Sequence, residues 1–281
     1  MPRNIFQPKK AGWRMQQEQD GPRSGDGADT PKAATEAAAE AGQAALPLFY
    51  KEPQPLHGAV HGGKGLRQPG DYRFAAKAHA VVVHAQEFRL AAAHYPIVFA
   101  DDDSSMSLAV LGYREGHNVF VDEAGRWAPG TYIPSYVRRY PFASGQGAKS
   151  DEAILYIDAA SDLLVDLEAD PTAQPLFAGG EPSEHTKRAL EFCAAFQRQV
   201  PGTNAFVEAV KARELLQSRE VKLDLPSGGN QLLTGLRIIE EEKFNALPDD
   251  VFLEWRRRGW VALVYWHWAS MDNFRRMLER A

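Results

Sequence analysis

Large apolar residues almost vanish between Trp13 and Leu46, where Gln, Gly, Asp, Pro and Ala dominate. A stretch of this kind cannot bury enough surface to offset the entropy of ordering it, so residues 1–45 read as a disordered low-complexity tail. From residue 46 to about 162 the pattern is one of strands. Short β-branched or aromatic runs at 80–84, 95–100, 107–111 and 118–121 are each bounded by Gly, Asp or Asn. Residues 118–121 and 126–128 flank Asp122-Glu-Ala-Gly125, whose Asp and Gly suit the first and last positions of a type I turn, and this predicts a hairpin. Residues 131–142 read as extended, with Pro134 and Pro141 confining them to an edge or an irregular path. Residues 154–157 read as a further buried strand.

Beyond Pro182 the period changes to three or four. Ser183 is placed to cap a helix that carries Leu190, Cys193 and Phe196 on one face, and Pro201-Gly202 predicts its end, with a second helix from about 203. Alternation at 221–225, turn residues at 226–230 and an apolar return at 232–239 predict a second hairpin. A helix from Asp249 or Asp250 to Arg258 ends at Gly259, and residues 261–278 read as a helix broken near Ser270. Strands that precede helices, without alternation between them, predict an α+β fold. Its β-rich half with antiparallel hairpins, residues 46 to about 162, packs on a mainly helical part, about 163–281, that holds one further hairpin; 46–281 is read as one domain or two tightly joined lobes.

Composition narrows the class. With 44% apolar and 25% charged residues in 281, the chain is an ordinary globular sequence, not a collagenous, disulfide-rich or wholly disordered one. The net charge of -5 carries no sign of a nucleic-acid partner, and the six basic and six acidic residues of 1–45 leave all of it on the remainder. Cys193, the single cysteine, cannot form an internal disulfide. The basic residues Arg3 to Arg14 are not followed by the apolar run of an export signal. The longest apolar run, 260–269, is half the length of about 20 residues that a membrane span needs. The expectation is a cytoplasmic protein without a transmembrane segment.

Candidate chemistry is sparse. His57 and His61 are four apart, but the glycines around them argue against the helix that would align them, and His79, His84 and His94 have no ligand spacing. Neither a metal nor a cofactor is expected. His61-Gly-Gly-Lys-Gly65 only superficially suggests a phosphate loop, and no G-x-S-x-G elbow occurs. Cys193, between Phe192 and Phe196, reads as packing, and Asp101-Asp-Asp103 reads as a solvated turn. His267, inside Tyr265-Trp-His-Trp268, is either a core imidazole bonded to a backbone carbonyl or part of a pocket. Arg138 and Arg139, between Tyr136 and Tyr140, are the most suggestive group. On an extended chain they face opposite ways, so one of them clamps a carboxylate or phosphate bidentately beside tyrosine rings, or pairs with an internal carboxylate while the tyrosines pack.

Several segments, in order, carry a family resemblance. They are Leu48-Phe-Tyr-Lys51, His61 with Leu66-Arg67, Phe74-Ala-Ala76, Glu87-Phe88 and Tyr95-Pro-Ile-Val-Phe99. Asn118-Val-Phe-Val-Asp122, Gly125-Arg-Trp127, Tyr132-Ile-Pro134 and Val137-Arg-Arg-Tyr-Pro-Phe142 continue it. Glu240-Glu-Glu-Lys243, Leu247-Pro248 and residues 267–273 complete it. Together they resemble the SapC family of bacterial proteins. The resemblance implies a link to the crystalline surface layer or to peptide transport, and supplies no catalytic residue. The leading expectation is a non-catalytic accessory protein that meets a protein or peptide partner through residues 132–142. An enzyme or small-ligand-binding protein with a pocket between the two parts, using His61, Arg138 or His267, is the alternative. A third reading is an interfacial membrane binder using Arg256 to Arg258 with Trp260, Trp266 and Trp268.

Overall fold

The computed structural model describes residues 46–67, 70–147, 150–225 and 228–280, so the expected tail at 1–45 lies outside the described residues. Strands β1 (Pro53–Pro55) and β2 (Lys64–Leu66) bracket one helical turn, α1 (Gly58–His61). Next come β3 (Ala80–Val82), the short helix α2 (Phe88–Ala91), β4 (Ile97–Ala100) and β5 (Ser107–Val110). Every residue of β4 and β5 is buried, which is why their sequences are nearly continuous apolar runs without alternation. Helix α3 (Ser135–Arg138) leads into the hairpin β6 (Phe142–Gly147) and β7 (Ser150–Asp158). Four brief strands follow: β8 (Leu164–Asp166), β9 (Gln174–Pro175), β10 (Phe177–Ala178) and β11 (Glu181–Pro182). Helix α4 (Glu184–Ala212), the hairpin β12 (Leu216–Asp224) and β13 (Asn230–Ile239), and helices α5 (Glu241–Asn245), α6 (Asp249–Arg257), α7 (Trp260–Ser270) and α8 (Asn273–Leu278) complete the chain.

The main sheet has the order β12-β13-β4-β5-β3 and is antiparallel throughout. The late hairpin therefore extends the early sheet. The join is short: β13 pairs β4 only at Leu236 with Ala100 and Arg237 with Phe99. Beyond it, side chains of α7 take over the hydrogen bonding. Ser270 Oγ accepts from Ile97 N at 2.8 Å, and the His267 ring meets Ile97 O at 2.7 Å and Ile239 N at 3.0 Å. A carbonyl only accepts, so His267 Nδ1 carries the proton and Nε2 receives the Ile239 N–H. This is the core imidazole of the first expectation for His267, and it is fully buried. Smaller sheets, β1-β7-β6 and β8-β2-β9, lie outside the main one.

Two apolar clusters share α4. Phe196, Phe206, Val207 and Val210 join the large core with Phe88, Phe99, Phe244 and Trp255, whereas Cys193 belongs to a smaller one with Leu66, Phe142, Leu155, Ile157 and Leu176. This burial on both sides of Pro201 overrides the expected stop there, and α4 runs through it without interruption. Ser183 caps its start, accepting from Thr186 N at 3.2 Å. Gly259, at φ 76°, ends α6 as expected.

Three local expectations are corrected. The hairpin at 118–128 keeps its turn, with Gly125 N donating to Asp122 O at 2.9 Å, but contracts to one bridge between Val121 and Trp127. Asn118 curls the chain instead, its Oδ1 accepting from Phe120 N at 2.9 Å and its Nδ2 donating to Ala75 O at 3.0 Å. Residues 131–142 are not extended throughout, because the helical turn α3 interrupts them. A helical turn does form between His57 and His61, yet it sets His61 Nδ1 against His57 N at 3.1 Å and leaves the two rings without a shared task.

Candidate functional site

Helix α3 exists because of a residue far upstream. Glu87, 4% exposed, accepts from Ser135 N at 2.7 Å and from the Tyr132 hydroxyl at 2.7 Å through Oε1, and from His84 N at 3.3 Å through Oε2. A carboxylate at the first N–H of the turn satisfies an otherwise unpaired donor and favours the helical form. Glu87 entered the sequence reading only as part of the family resemblance; no local pattern marks it as a cap for residue 135.

Helical geometry sends Arg138 and Arg139 to different surroundings. Arg138 is exposed; its Nε donates to Ile133 O at 2.9 Å, and its Nη2 donates to Tyr132 Oη at 3.1 Å and Ser135 Oγ at 2.9 Å. Arg139 is 8% exposed. Its guanidinium carbon lies 4.3 Å from the Tyr136 ring centroid, 4.5 Å from that of Phe196 and 5.6 Å from that of Tyr50. Its Nε is buried without a hydrogen-bond partner, and none of the ion pairs among the described residues involves either arginine. The internal carboxylate partner that the sequence left open is not there.

Both arginines line a cleft of about 490 Å³ between the α3–β6 segment and the start of α4, within the usual size of small-ligand sites. Arg67 and Arg188 complete its cationic lining, with His185 beside them; Leu66, Phe142, Leu163 and Phe192 form its apolar wall, and no Asp or Glu lines it. Burial, with Arg188 beside it, holds the His185 imidazole below the usual histidine range, so it is neutral at pH 7, and its Nε2 is buried without a partner. Tyr140 also lines the cleft, but its hydroxyl is committed to Asp158 Oδ2 at 2.9 Å. Burial, with the Asp158 charge adding, pushes that phenol up to about 12.

The remaining candidates lie elsewhere. Tyr136 packs under Arg139, while His61 and His267 are absent from the lining of the cleft. Among the described residues His61, Arg138 and His267 have no hydrogen-bond partner in common. Lys64 pairs with Asp166 at 2.8 Å, and a Cβ at Gly65 would meet Leu167 Cδ2 at 2.6 Å, so the glycine near Lys64 serves close packing. Among the described residues no group of three or more His, Cys, Asp or Glu is disposed to hold a metal ion. Among them, too, no helix is long and apolar enough to cross a membrane. The tryptophans of the interfacial reading are tied inward: Trp260 packs 5.6 Å from Trp255, and Trp268 Nε1 donates to Ile239 O at 2.8 Å.

Cys193 lines the cleft at 2% exposure, and burial pushes its thiol up to about 11 against the opposing charge of Arg139. A thiol reagent at pH 8 is expected to label the native chain far more slowly than the urea-unfolded chain. Equal labelling rates would show that the thiol is not sealed as described.

Fold and cleft thus define an α+β protein with an arginine-lined cavity free of acidic side chains. The SapC family model matches residues 56–277, most of the chain and every residue of the cleft, and the chain belongs to the SapC family. No curated protein and no solved structure matches it significantly.

Proposed function

We propose that this chain is a non-catalytic binding protein of the cytoplasm, accessory to surface-layer or peptide-transport processes, whose cleft takes an acidic peptide. One observation carries the reading: four arginines and a histidine converge on one cleft that no Asp or Glu lines, in a chain whose net charge is -5. The local sign is opposite to that of the molecule, which favours a specific anionic partner over general attraction. The surface-layer and peptide links rest on the family resemblance. Arginine and aromatic side chains together are the composition of binding hot spots. An acyl-transfer or redox role for the cleft has less support, since its thiol is protonated at neutral pH.

The test is calorimetric titration with a hexapeptide carrying three internal glutamates and with its lysine counterpart. The acidic peptide is expected to bind, more weakly as salt rises, and an Arg138→Glu, Arg188→Glu double variant is expected to lose at least about tenfold in affinity. Equal affinity for both peptides, or an unchanged double variant, would overturn the reading.

A further inference from the structure

We infer that Arg139 is the carboxylate-binding residue of the cleft, and that it takes the free C-terminal carboxylate of a peptide whose last side chain is apolar. This rests on the binding role proposed above and assigns its innermost contact.

The cationic side chains of the cleft are not equivalent. Arg138 spends its Nε and Nη2 donors on Ile133, Tyr132 and Ser135. Arg67 leans on Asp170 at 3.6 Å and on Asp162 O at 3.5 Å, and Arg188 Nε donates to Glu184 O at 3.1 Å. Arg139 alone of the four has no hydrogen bond or ion pair from its side chain among the described residues, and it is the buried one. Ring contacts with Tyr136, Phe196 and Tyr50 stabilise its charge and hold it in place. They leave its buried Nε without a hydrogen-bond partner, and a buried guanidinium with an unmet donor is strongly favoured to take an anion. The planar fork of an arginine fits the two oxygens of a carboxylate. His185 Nε2, also buried and unpartnered, offers a second polar contact.

What surrounds this charge defines the rest of the ligand. Leu66, Phe142 and Phe192 give an apolar wall beside it, which suits a carboxylate attached directly to an apolar group. The exposed arginines Arg67, Arg138 and Arg188 sit nearer solvent, where acidic side chains further up the same peptide would meet them. A cleft of about 490 Å³ accommodates the last few residues of a peptide, not a folded partner. Capture of a terminal carboxylate is a recurring mode of peptide recognition.

The experiment is fluorescence polarisation of the full chain with an N-terminally labelled hexapeptide that has internal glutamates and ends in leucine. The free acid is compared with its C-terminal amide, and decanoate is added as a competitor. The wild type is expected to bind the acid at least about tenfold more tightly than the amide. Arg139→Gln should erase that difference, and Arg139→Lys should retain part of it, since it keeps the charge and loses the fork. Equal binding of acid and amide by the wild type overturns the inference. If that equal binding still falls with Arg138→Glu, Arg188→Glu, the acidic-peptide role survives it; if neither probe binds, both fail. Tighter binding of decanoate than of the peptide acid overturns the peptide assignment. The acid-to-amide comparison changes only the ligand, so it decides the matter even where Arg139→Gln does not fold.

Discussion

Replacing His267 with leucine is expected to destabilise the chain by about 4 kcal/mol, read as a lower urea midpoint at unchanged slope. The imidazole serves two backbone groups at once, Ile97 O and Ile239 N, and leucine leaves both buried and unpaired, at a cost of roughly 1–3 kcal/mol each, with the lost ring packing added. The same residue contributes to the pH dependence of folding. Burial holds its pKa at about 4 in the folded chain, below its ordinary value of 6.5. Its contribution is thus complete above pH 6.5. As pH falls from there to about 4 the unfolded chain takes up a proton that the folded ring refuses, and roughly 3 kcal/mol is lost before the curve levels off. His84, His94, His117 and His185 are shifted in the same direction by burial, so the wild-type decline is the sum of several. The share of His267 is the difference from His267→Gln across that window. A leucine variant that loses under about 1 kcal/mol, or parallel pH curves, would contradict this account of the sheet join.

Glu87→Ala is expected to cost about 3–5 kcal/mol and to weaken acidic-peptide binding as well. The substitution leaves Ser135 N without its acceptor, frees the Tyr132 hydroxyl, and removes the group that holds both at 2.7 Å. Because Tyr132 and Ser135 in turn hold Arg138, and α3 places Arg139 on its rings, the loss passes directly to the cleft. Glu87→Gln keeps one oxygen acceptor and is expected to lose less in both measurements. Urea unfolding and peptide titration of the two variants check this. A stable Glu87→Ala chain with undiminished peptide affinity would show that α3 holds its shape without the carboxylate.

Where local chemistry decided the structure, the sequence was legible. Alternation and turn residues marked the hairpin β12–β13, Gly259 marked the end of α6, and Ser270 fell at the break between α7 and α8. Where a distant group decided it, local reading failed. α3 depends on Glu87, 48 positions upstream of Ser135, and α4 passes Pro201 because buried side chains grip it on both sides, Cys193 and Phe196 before it and Phe206 and Val207 after. The cleft was half legible for the same reason. Arg138 and Arg139 stood out as adjacent cations among tyrosines, whereas Arg67 reaches the cleft from just past β2, and His185 and Arg188 reach it from α4, far along the chain. The brief strands β8 to β11 carry too few residues to show a pattern at all.

The narrow join between β13 and β4 also orders events during synthesis. Strands β3, β4 and β5 leave the ribosome early, but the free side of β4 stays unpaired until Leu236 and Arg237 follow, and Ile97 waits 170 positions for His267. Until then an apolar strand presents an open edge, the kind of surface on which other chains nucleate aggregates. Helix α7, translated long after β4, is thus the one that closes the first sheet, and the nascent chain depends on whatever shields that edge in the interval.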